Sequence, residues 1–423
     1  MSAHSIDIRP LASTAEYEGY FRLSNAAFSS EPSEEDALRW LATTKQAPDF
    51  DAERLRGAFH EEHLLGGYGL YNRVLRMGAA RISTGCIGGV VTSPEARKQG
   101  VASALMHDAI DFAHAHKHAL LLLDGIPKFY YRFGYTDMFD VTQIEMNRSA
   151  ILALPPAHYQ VREATVDDAP TLLALYLRHL GSYTGSFERS LDLQLHRLQQ
   201  RRSSRVVALT PQGEIAGYLL HGTDAEAAQG YELAVDSWDA LLALLQYHAR
   251  LLDSEIPPAT LLYFLPPDAP TTHWLIDNLE VPDTSQWGSP AEEWGVRRLT
   301  MHHRFTGWMA CLTNFPVLMD SLLPELQARW QRSLAHWTGT IALTVGDQTS
   351  TLRLHDTSVQ IAPQAGSTLN QLELSPQALV QLVSGYRPLA HLTSTAHLSD
   401  SARAALDILF PTSHTWIPRT DWF

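Results

Sequence analysis

A strand, turn and helix boundary carries the first chemistry in this chain. Ile87 to Thr92 (Ile-Gly-Gly-Val-Val-Thr) reads as the end of a strand, Pro94 sets a turn, and a helix opens near Gly100. The first N–H groups of such a helix have no intrahelical acceptor and lie at the positive end of its dipole, so they form an anion site. Gly100 and Ala102 let a diphosphate approach the backbone, and Arg97 and Lys98 add positive charge. A glycine-led turn also starts an ordinary helix, so this spacing alone assigns nothing. Further along, Phe129-Tyr130-Tyr131-Arg132-Phe133-Gly134-Tyr135 offers phenols that either give protons or fill an aromatic core. Histidines 114, 116 and 118 fall in one helix where only His114 and His118 share a face. They read as a solvated face, and no metal is expected.

The elements that position these residues fall into three segments. The first opens with a strand at Ile6 to Arg9 and a helix from Thr14 to Phe28, followed by a polar stretch from Ser29 to Asp36. Strands follow around Leu55 to His60, His63 to Asn72 and Ala79 to Thr92, then a helix from Val101 to His116 and a buried strand from Ala119 to Leu123. This order is an α/β arrangement. After a linker at Leu152 to Pro156 the grammar restarts with a strand at Tyr159 to Glu163, a helix from Asp167 to His179, three strands ending at Val235, and a helix from Ser237 to Leu252. A duplicated domain is the reading. The third segment, an α+β layer, begins with a helix near Phe315 to Trp337 and closes with helices at Ser375 to Ser384 and Ser399 to Phe410. The boundaries are 1–155, 156–308 and 309–423. Its aromatic, proline-rich end, Leu409 to Phe423, is expected to be buried rather than to hang in solvent.

The second copy lacks the phosphate loop. Glu232-Leu233-Ala234-Val235 passes through Asp236-Ser237-Trp238-Asp239 straight into a helix, placing carboxylates where a pyrophosphate would sit. It reads as scaffold and cleft wall, and Arg297, Arg298, His302 and His303 as a solvated strand end.

Composition excludes several classes. The 423 residues, 45% hydrophobic and 18% charged, form two to four domains at roughly 100–200 residues each. Lysine plus arginine number 32 against 46 acids, a net charge of −14, which argues against nucleic acid or an anionic membrane as partner. Only Lys45, Lys98, Lys117 and Lys128 are lysines, a skew that composition bias explains. Cys86 and Cys311 supply one disulfide at most, so a reduced compartment is the default. The N-terminus lacks a signal-peptide pattern and no apolar run reaches membrane length, so a cytoplasmic protein is expected.

Arg97-x-x-Gly100-x-Ala102 after a Val-Val strand, joined to the Phe129 to Tyr135 motif, resembles the GCN5-related N-acetyltransferase (GNAT) family. Two tandem copies, a third domain similar to sterol carrier proteins and an aromatic chain end narrow the resemblance to the Eis-type (enhanced intracellular survival) acetyltransferases over essentially the whole length. That resemblance implies two tandem GNAT mixed-sheet domains followed by a sterol-carrier-like α+β domain, acetyl-CoA as co-substrate, and a homohexamer. Val90, Val91 and Thr92 would line the acetyl and pantetheine arm, and Lys98, Gln99, Gly100, Val101, Ala102 and Ser103, with Arg97, would hold the pyrophosphate. Gly125 and Ile126 would flank the pantetheine from the other strand. Tyr130 would be the general acid and the C-terminal carboxylate of Phe423 the base.

Two departures stand out: Leu122-Leu123-Asp124-Gly125-Ile126-Pro127 lacks a Ser-Glu pair that some members show, and Lys98-Gln99 replaces an arginine pair. A terminal carboxylate with a pKa near 3.5 is a poor base for an ammonium, by roughly six units, so Phe423 is better suited to anchoring the ammonium and relaying its proton. The implied acceptor is a cationic amine, aminoglycoside- or polyamine-like, or a lysine side chain. The third domain reads as structural and tail-delivering. The competing reading is a lipid-binding or scaffold protein built on degenerate acetyltransferase domains.

Overall fold

The computed structural model describes residues 6–199, 203–252, 259–279, 295–301, 307–362 and 370–422. Strand β1 (Asp7–Pro10) leads into helix α1 (Thr14–Phe28), closed at its start by a reciprocal pair in which Ser13 Oγ accepts from Glu16 N–H and the Glu16 carboxylate accepts from Ser13 N–H. The polar stretch that follows ends in a helix, α2 (Glu34–Gln46), because Ser33 caps it and Glu34, Glu35 and Asp36 meet its positive end. Strands β2 (Leu55–His60), β3 (His63–Met77) and β4 (Ala80–Thr92) form an antiparallel meander. Helix α3 (Val101–Ala115) then crosses over to β5 (Leu120–Gly125), which lies parallel to β4, and the short β6 (Thr136–Asp137) follows.

The second unit contains β7 (Val141–Asn147), α4 (Arg148–Ala153), β8 (Gln160–Glu163), α5 (Ala169–His179), α6 (Leu191–Gln199), β9 (Ser204–Leu209), β10 (Ile215–His221) and β11 (Gln229–Val235). Helix α7 (Trp238–Leu251), β12 (Thr260–Tyr263), α8 (Pro270–Asn278) and β13 (Val296–Met301) complete it, and β14 (Gly307–Leu312) follows. The sheet orders are β1-β2-β3-β4-β5-β14-β6 and β13-β7-β12-β11-β10-β9-β8, so each sheet has seven strands. Strand β7 follows the first sheet in sequence but pairs with β12 and β13, whereas β14 returns from beyond the second unit to pair with β5. This exchange joins the two mixed α/β units through their backbones.

The third unit packs α9 (Phe315–Arg332) and further helices on a four-stranded sheet of β15 (Gly339–Val345), β16 (Gln348–His355), β17 (Ser358–Ala362) and β18 (Gln371–Glu373). Its closing helices are α10 (Pro376–Val383), α11 (Leu389–Leu392) and α12 (Asp400–Leu409). Leu318, Met319, Leu322 and Trp330 of α9 share one apolar cluster with Leu75, Met77 and Ile82 of β3 and β4. Buried Glu325 adds a polar lock, accepting from Ala79 N–H at 2.8 Å and from Arg329 Nε at 2.8 Å.

The tail lies against the second unit. Trp416 N–H donates to the Thr184 carbonyl at 2.8 Å, and its ring joins Leu172, Leu175 and Tyr176 in one cluster. Beyond it, Asp421 is buried between Arg189, at 2.7 Å, and Arg197. Arg189 also pairs with the fully buried Glu232 at 2.6 Å, and Tyr218 donates to Glu232 at 2.6 Å. Every charge in this group has a charged partner, the condition under which buried ions are tolerated. Among the described residues no helix is long and apolar enough to cross a membrane.

Candidate active site

Strands β4 and β5 pair only from Thr84–Cys86 to Leu120–Leu122, although β4 runs on to Thr92 and β5 to Gly125. A β-bulge bends the free end of β4. Its register against β3 shifts so that Gly89 and Val90 stand opposite Tyr68 alone. Gly89 has φ +62°, and the Tyr20 hydroxyl donates to its carbonyl at 3.0 Å. A Cβ on Gly89 would lie 2.3 Å from that hydroxyl, so the bulge requires glycine.

The gap between the two strands is a cavity of about 500 Å³. Ile87, Gly88, Gly89 and Val90 form one wall, and Leu123, Asp124, Ile126 and Tyr130 form the other. Helices α1 and α2 roof it with Phe28, Trp40 and Thr44.

At the far end of β4 the chain turns through exposed Arg97, Lys98 and Gln99 to Gly100, which caps α3 with φ +88° and provides no side-chain hydrogen bond. Nothing lies within 4 Å of a Cβ built there, so the space at the cap is open, and the first N–H groups of α3 have no intrahelical acceptor. Arg132 brings a guanidinium to the same helix start. Its Nη2 donates to Ser103 Oγ at 3.2 Å while the group packs over the Phe129 and Phe133 rings at 4.4 and 4.8 Å. The helix is held by Asp108, which accepts from Arg56 at 2.6 and 2.8 Å and from Tyr68 at 2.7 Å.

Tyr130 is 6% exposed, its ring edge-on to Phe129 at 4.9 Å and Tyr135 at 5.9 Å. Burial, reinforced by the negative charge of Asp124, pushes its phenol up to about 12. Tyr131, its neighbour in sequence, is 47% exposed.

The structure therefore brings Val90, Ile126 and Tyr130 to one cavity. Val91 turns its side chain into the cluster of Tyr17, Tyr20 and Phe21, and Thr92 pairs with Gly66, so these two offer backbone to the slot's edge. Val101 anchors the helix start in the core, while Ala102 and Ser103 remain half-buried behind Gly100. Gly125 lines an adjoining cavity of about 510 Å³, together with Asp124, Trp308, Arg419 and Trp422. Trp422 stands edge-on to Trp308 at 5.6 Å and Phe264 at 5.7 Å, which carries the tail to the side of the slot. Phe423, His302 and His303 lie outside the described residues. Sequence reasoning did not single out Arg132 as a binding residue, nor the roof from α2, nor Arg189 and Glu232, whose partners are remote in the chain.

The second unit repeats the splayed strands without the open helix start. Strands β11 and β12 pair only at Gln229–Gly230 with Leu262–Tyr263. Ser237 Oγ caps α7 by accepting from Ala240 N–H, and Asp236 accepts from Arg178 at 2.5 Å and is 2.6 Å from His179. A carboxylate and a side-chain cap occupy the position that is open at Gly100. Among the described residues no group of three or more histidines, cysteines or carboxylates is placed to hold a metal ion.

Comparison with known proteins agrees with this geometry. Residues 7–138 match the family described as the acetyltransferase (GNAT) domain. The fold is similar to that of a GCN5-related N-acetyltransferase from Kribbella flavida, with 18% identity, 100% of both chains covered and a TM-score of 0.71. A GCN5-related N-acetyltransferase from Anabaena variabilis gives 14% identity, 99% of this chain and 100% of that one, and a TM-score of 0.73. Eis1 from Mycobacterium abscessus gives 19%, 99% and 100%, with a TM-score of 0.62. No curated protein matches the chain. Residues 7–138 therefore carry a GNAT acetyltransferase domain, and the chain as a whole shares the fold of these N-acetyltransferases.

Proposed function

We propose that the chain transfers the acetyl group of acetyl-CoA to a primary amine by direct attack in a ternary complex. One observation carries this reading: Tyr130 lines the splayed β4–β5 slot, and β4 leads on from that slot to a helix start at Gly100 without a side-chain cap. The pyrophosphate would lie at the N–H groups of Val101, Ala102 and Ser103, with Arg97, Lys98 and Arg132 supplying charge and Gln99 an amide. The thioester arm would run along the backbone of Val90 to Thr92 and past Gly125 and Ile126, with N–H groups near Val91 polarising the carbonyl. The amine nitrogen bonds to the acetyl carbon, the carbon–sulfur bond breaks, and the proton lost by the nitrogen ends on the CoA sulfur.

Tyr130 shapes that last step. A phenol pushed up to about 12 is a weaker acid than a thiol near 8.5, so complete transfer from Tyr130 to the thiolate would cost about 5 kcal/mol. Tyr130 therefore acts first as a hydrogen-bond donor to the developing thiolate and passes its proton only as the amine's proton replaces it. The Phe423 carboxylate is assigned as ammonium anchor and relay. Removing Phe423 should lower turnover, and unchanged activity would take the terminus out of the mechanism.

The long-range field of a chain at −14 favours a cationic acceptor, aminoglycoside-like, polyamine-like or a lysine side chain. The Eis-type relationship, the sterol-carrier likeness of the third unit and a homohexamer rest on the resemblance in sequence, and a cytoplasmic location rests on composition. The deciding experiment is titration of acetyl-CoA by calorimetry with Gly100→Glu as control. Saturable binding abolished by the substitution supports the enzyme, while fatty-acid binding without acetyl-CoA binding supports a lipid-binding scaffold.

A further inference from the structure

The second unit has no open helix start, yet its strand β11 carries a fully buried carboxylate, Glu232. Arg189, between α5 and α6, grips it with both prongs of its guanidinium, Nη1 to Oε1 at 2.9 Å and Nη2 to Oε2 at 2.6 Å. The same Nη2 donates to Thr420 Oγ at 3.0 Å and to Asp421 Oδ2 at 2.7 Å, both in the last turn of the tail. The Thr420 hydroxyl donates in turn to Glu232, and Arg197 takes the other oxygen of Asp421. The Arg189 guanidinium also lies over the Tyr176 ring at 3.5 Å, so its plane is fixed as well as its edge.

Two arginines and two carboxylates balance in this cluster, so it offers no net charge to a ligand. Stability does not explain it either, because a buried ion group is often no more stabilising than apolar residues of the same volume. What a forked, fully hydrogen-bonded group imposes is one geometry. The tail is already docked upstream by Trp416 in its apolar cluster, so the contacts at Arg189 set where the final turn, Arg419–Asp421, stands.

That turn leads directly into Trp422, whose ring packs edge-on to Trp308 and Phe264 and lies under Arg419 at 4.1 Å. Trp422 lines two cavities at once. One is the cavity of about 510 Å³ that shares Asp124 with the β4–β5 slot. The other, of about 380 Å³, shares Thr44 and Tyr71 with the slot and is walled by Arg197 and Arg205. The indole thus stands in the wall of both spaces through which the second unit borders the slot.

We infer that the second unit serves as the anchor of this wall: Arg189, Glu232 and Thr420 are positioning residues that fix Trp422, and through it the path by which the acceptor amine reaches the slot. This rests on the acetyltransferase reading above and gives the copy without an open helix start a task in the same reaction. None of the three residues lines the slot, so their effect falls on the amine and not on acetyl-CoA.

The test is thiol release from acetyl-CoA by the full chain with spermidine, kanamycin and Nα-acetyl-lysine methylamide, with acetyl-CoA affinity measured by calorimetry. Thr420→Val removes the hydroxyl between Arg189 and Glu232 without leaving a buried charge unpaired, and Arg189→Lys keeps the charge while losing the fork. Each should lower kcat/KM for the amine about 10-fold, the equivalent of one charge-assisted hydrogen bond, at unchanged acetyl-CoA affinity. In a Trp422→Ala background the same substitutions should cost little more, whereas a merely structural role would cost as much with the indole as without it. Thr420→Val carries the test by itself should the lysine variant misfold. Undiminished kcat/KM in the valine variant, or an equal loss with and without the indole, would overturn the inference and leave the acetyltransferase reading standing. Absence of both acetyl-CoA binding and thiol release by the unaltered chain with every amine would overturn the two together.

Discussion

Tyr130 and Tyr131 stand side by side in the sequence, and only burial separates their chemistry: one phenol faces the slot, and the other is 47% exposed. Tyr130→Phe removes the donor without removing the ring that packs on Phe129 and Tyr135. Turnover should fall by about 10²- to 10⁴-fold with little change in acetyl-CoA affinity, measured by thiol release and by calorimetry. Because the phenol is pushed up to about 12, it stays protonated through the range where an ordinary tyrosine would ionise near 10. The profile of kcat against pH should therefore show no loss with a midpoint near 10. The motif made Tyr130 readable from the sequence, since its residue types and spacing are local. Arg132 lies in the same motif, yet its role depends on Ser103, which only the fold brings near. Asp421 was readable as an acid but not as a buried one, because Arg189 and Arg197 lie more than two hundred positions away.

At the scale of the element, the helix start at Gly100 was legible because a strand, a proline turn and a glycine-led helix are written in consecutive residues. Helix α2 was obscured by its polar first turn, although Ser33 and three acids are the pattern of a capped start. The tail is an element without regular structure, held by side chains instead. Replacing Arg189 by Met should destabilise the chain by about 3–5 kcal/mol in denaturant unfolding, since it leaves Glu232 and Asp421 buried and short of a cation. The two arginines hold Asp421 at about 2 despite its burial, below the ordinary value near 3.9. A depressed folded-state pKa stabilises above the unfolded value and loses that contribution as pH falls through the folded one. Stability should therefore decline between about pH 4 and pH 2, and this part of the decline should be absent from Asp421→Asn.

At the scale of the whole molecule, periodicity reports that a segment is a strand but not which sheet receives it. The duplication was readable from repeated element order, and the exchange of β7 and β14 was not. Strand β14 fills the place between β5 and β6, so a fragment of residues 1–155 lacks the neighbour that pairs with Leu120 to Gly125. Such a fragment should aggregate through that open edge when expressed alone, and light scattering should show its rescue by co-expression with the remainder. The same exchange ties the β4–β5 slot to the second unit, whose Arg197 and Arg205 wall the adjoining cavity. The β4–β5 slot with Tyr130 is proposed to perform acetyl transfer to an amine. Its most direct test is amine-dependent thiol release from acetyl-CoA by the intact chain and by Tyr130→Phe, with acetyl-CoA affinity measured on both. Release should saturate with acetyl-CoA and fall at least about 100-fold in the variant at unchanged affinity. Undiminished release by Tyr130→Phe, or tight acetyl-CoA binding with no release to any amine, would contradict it.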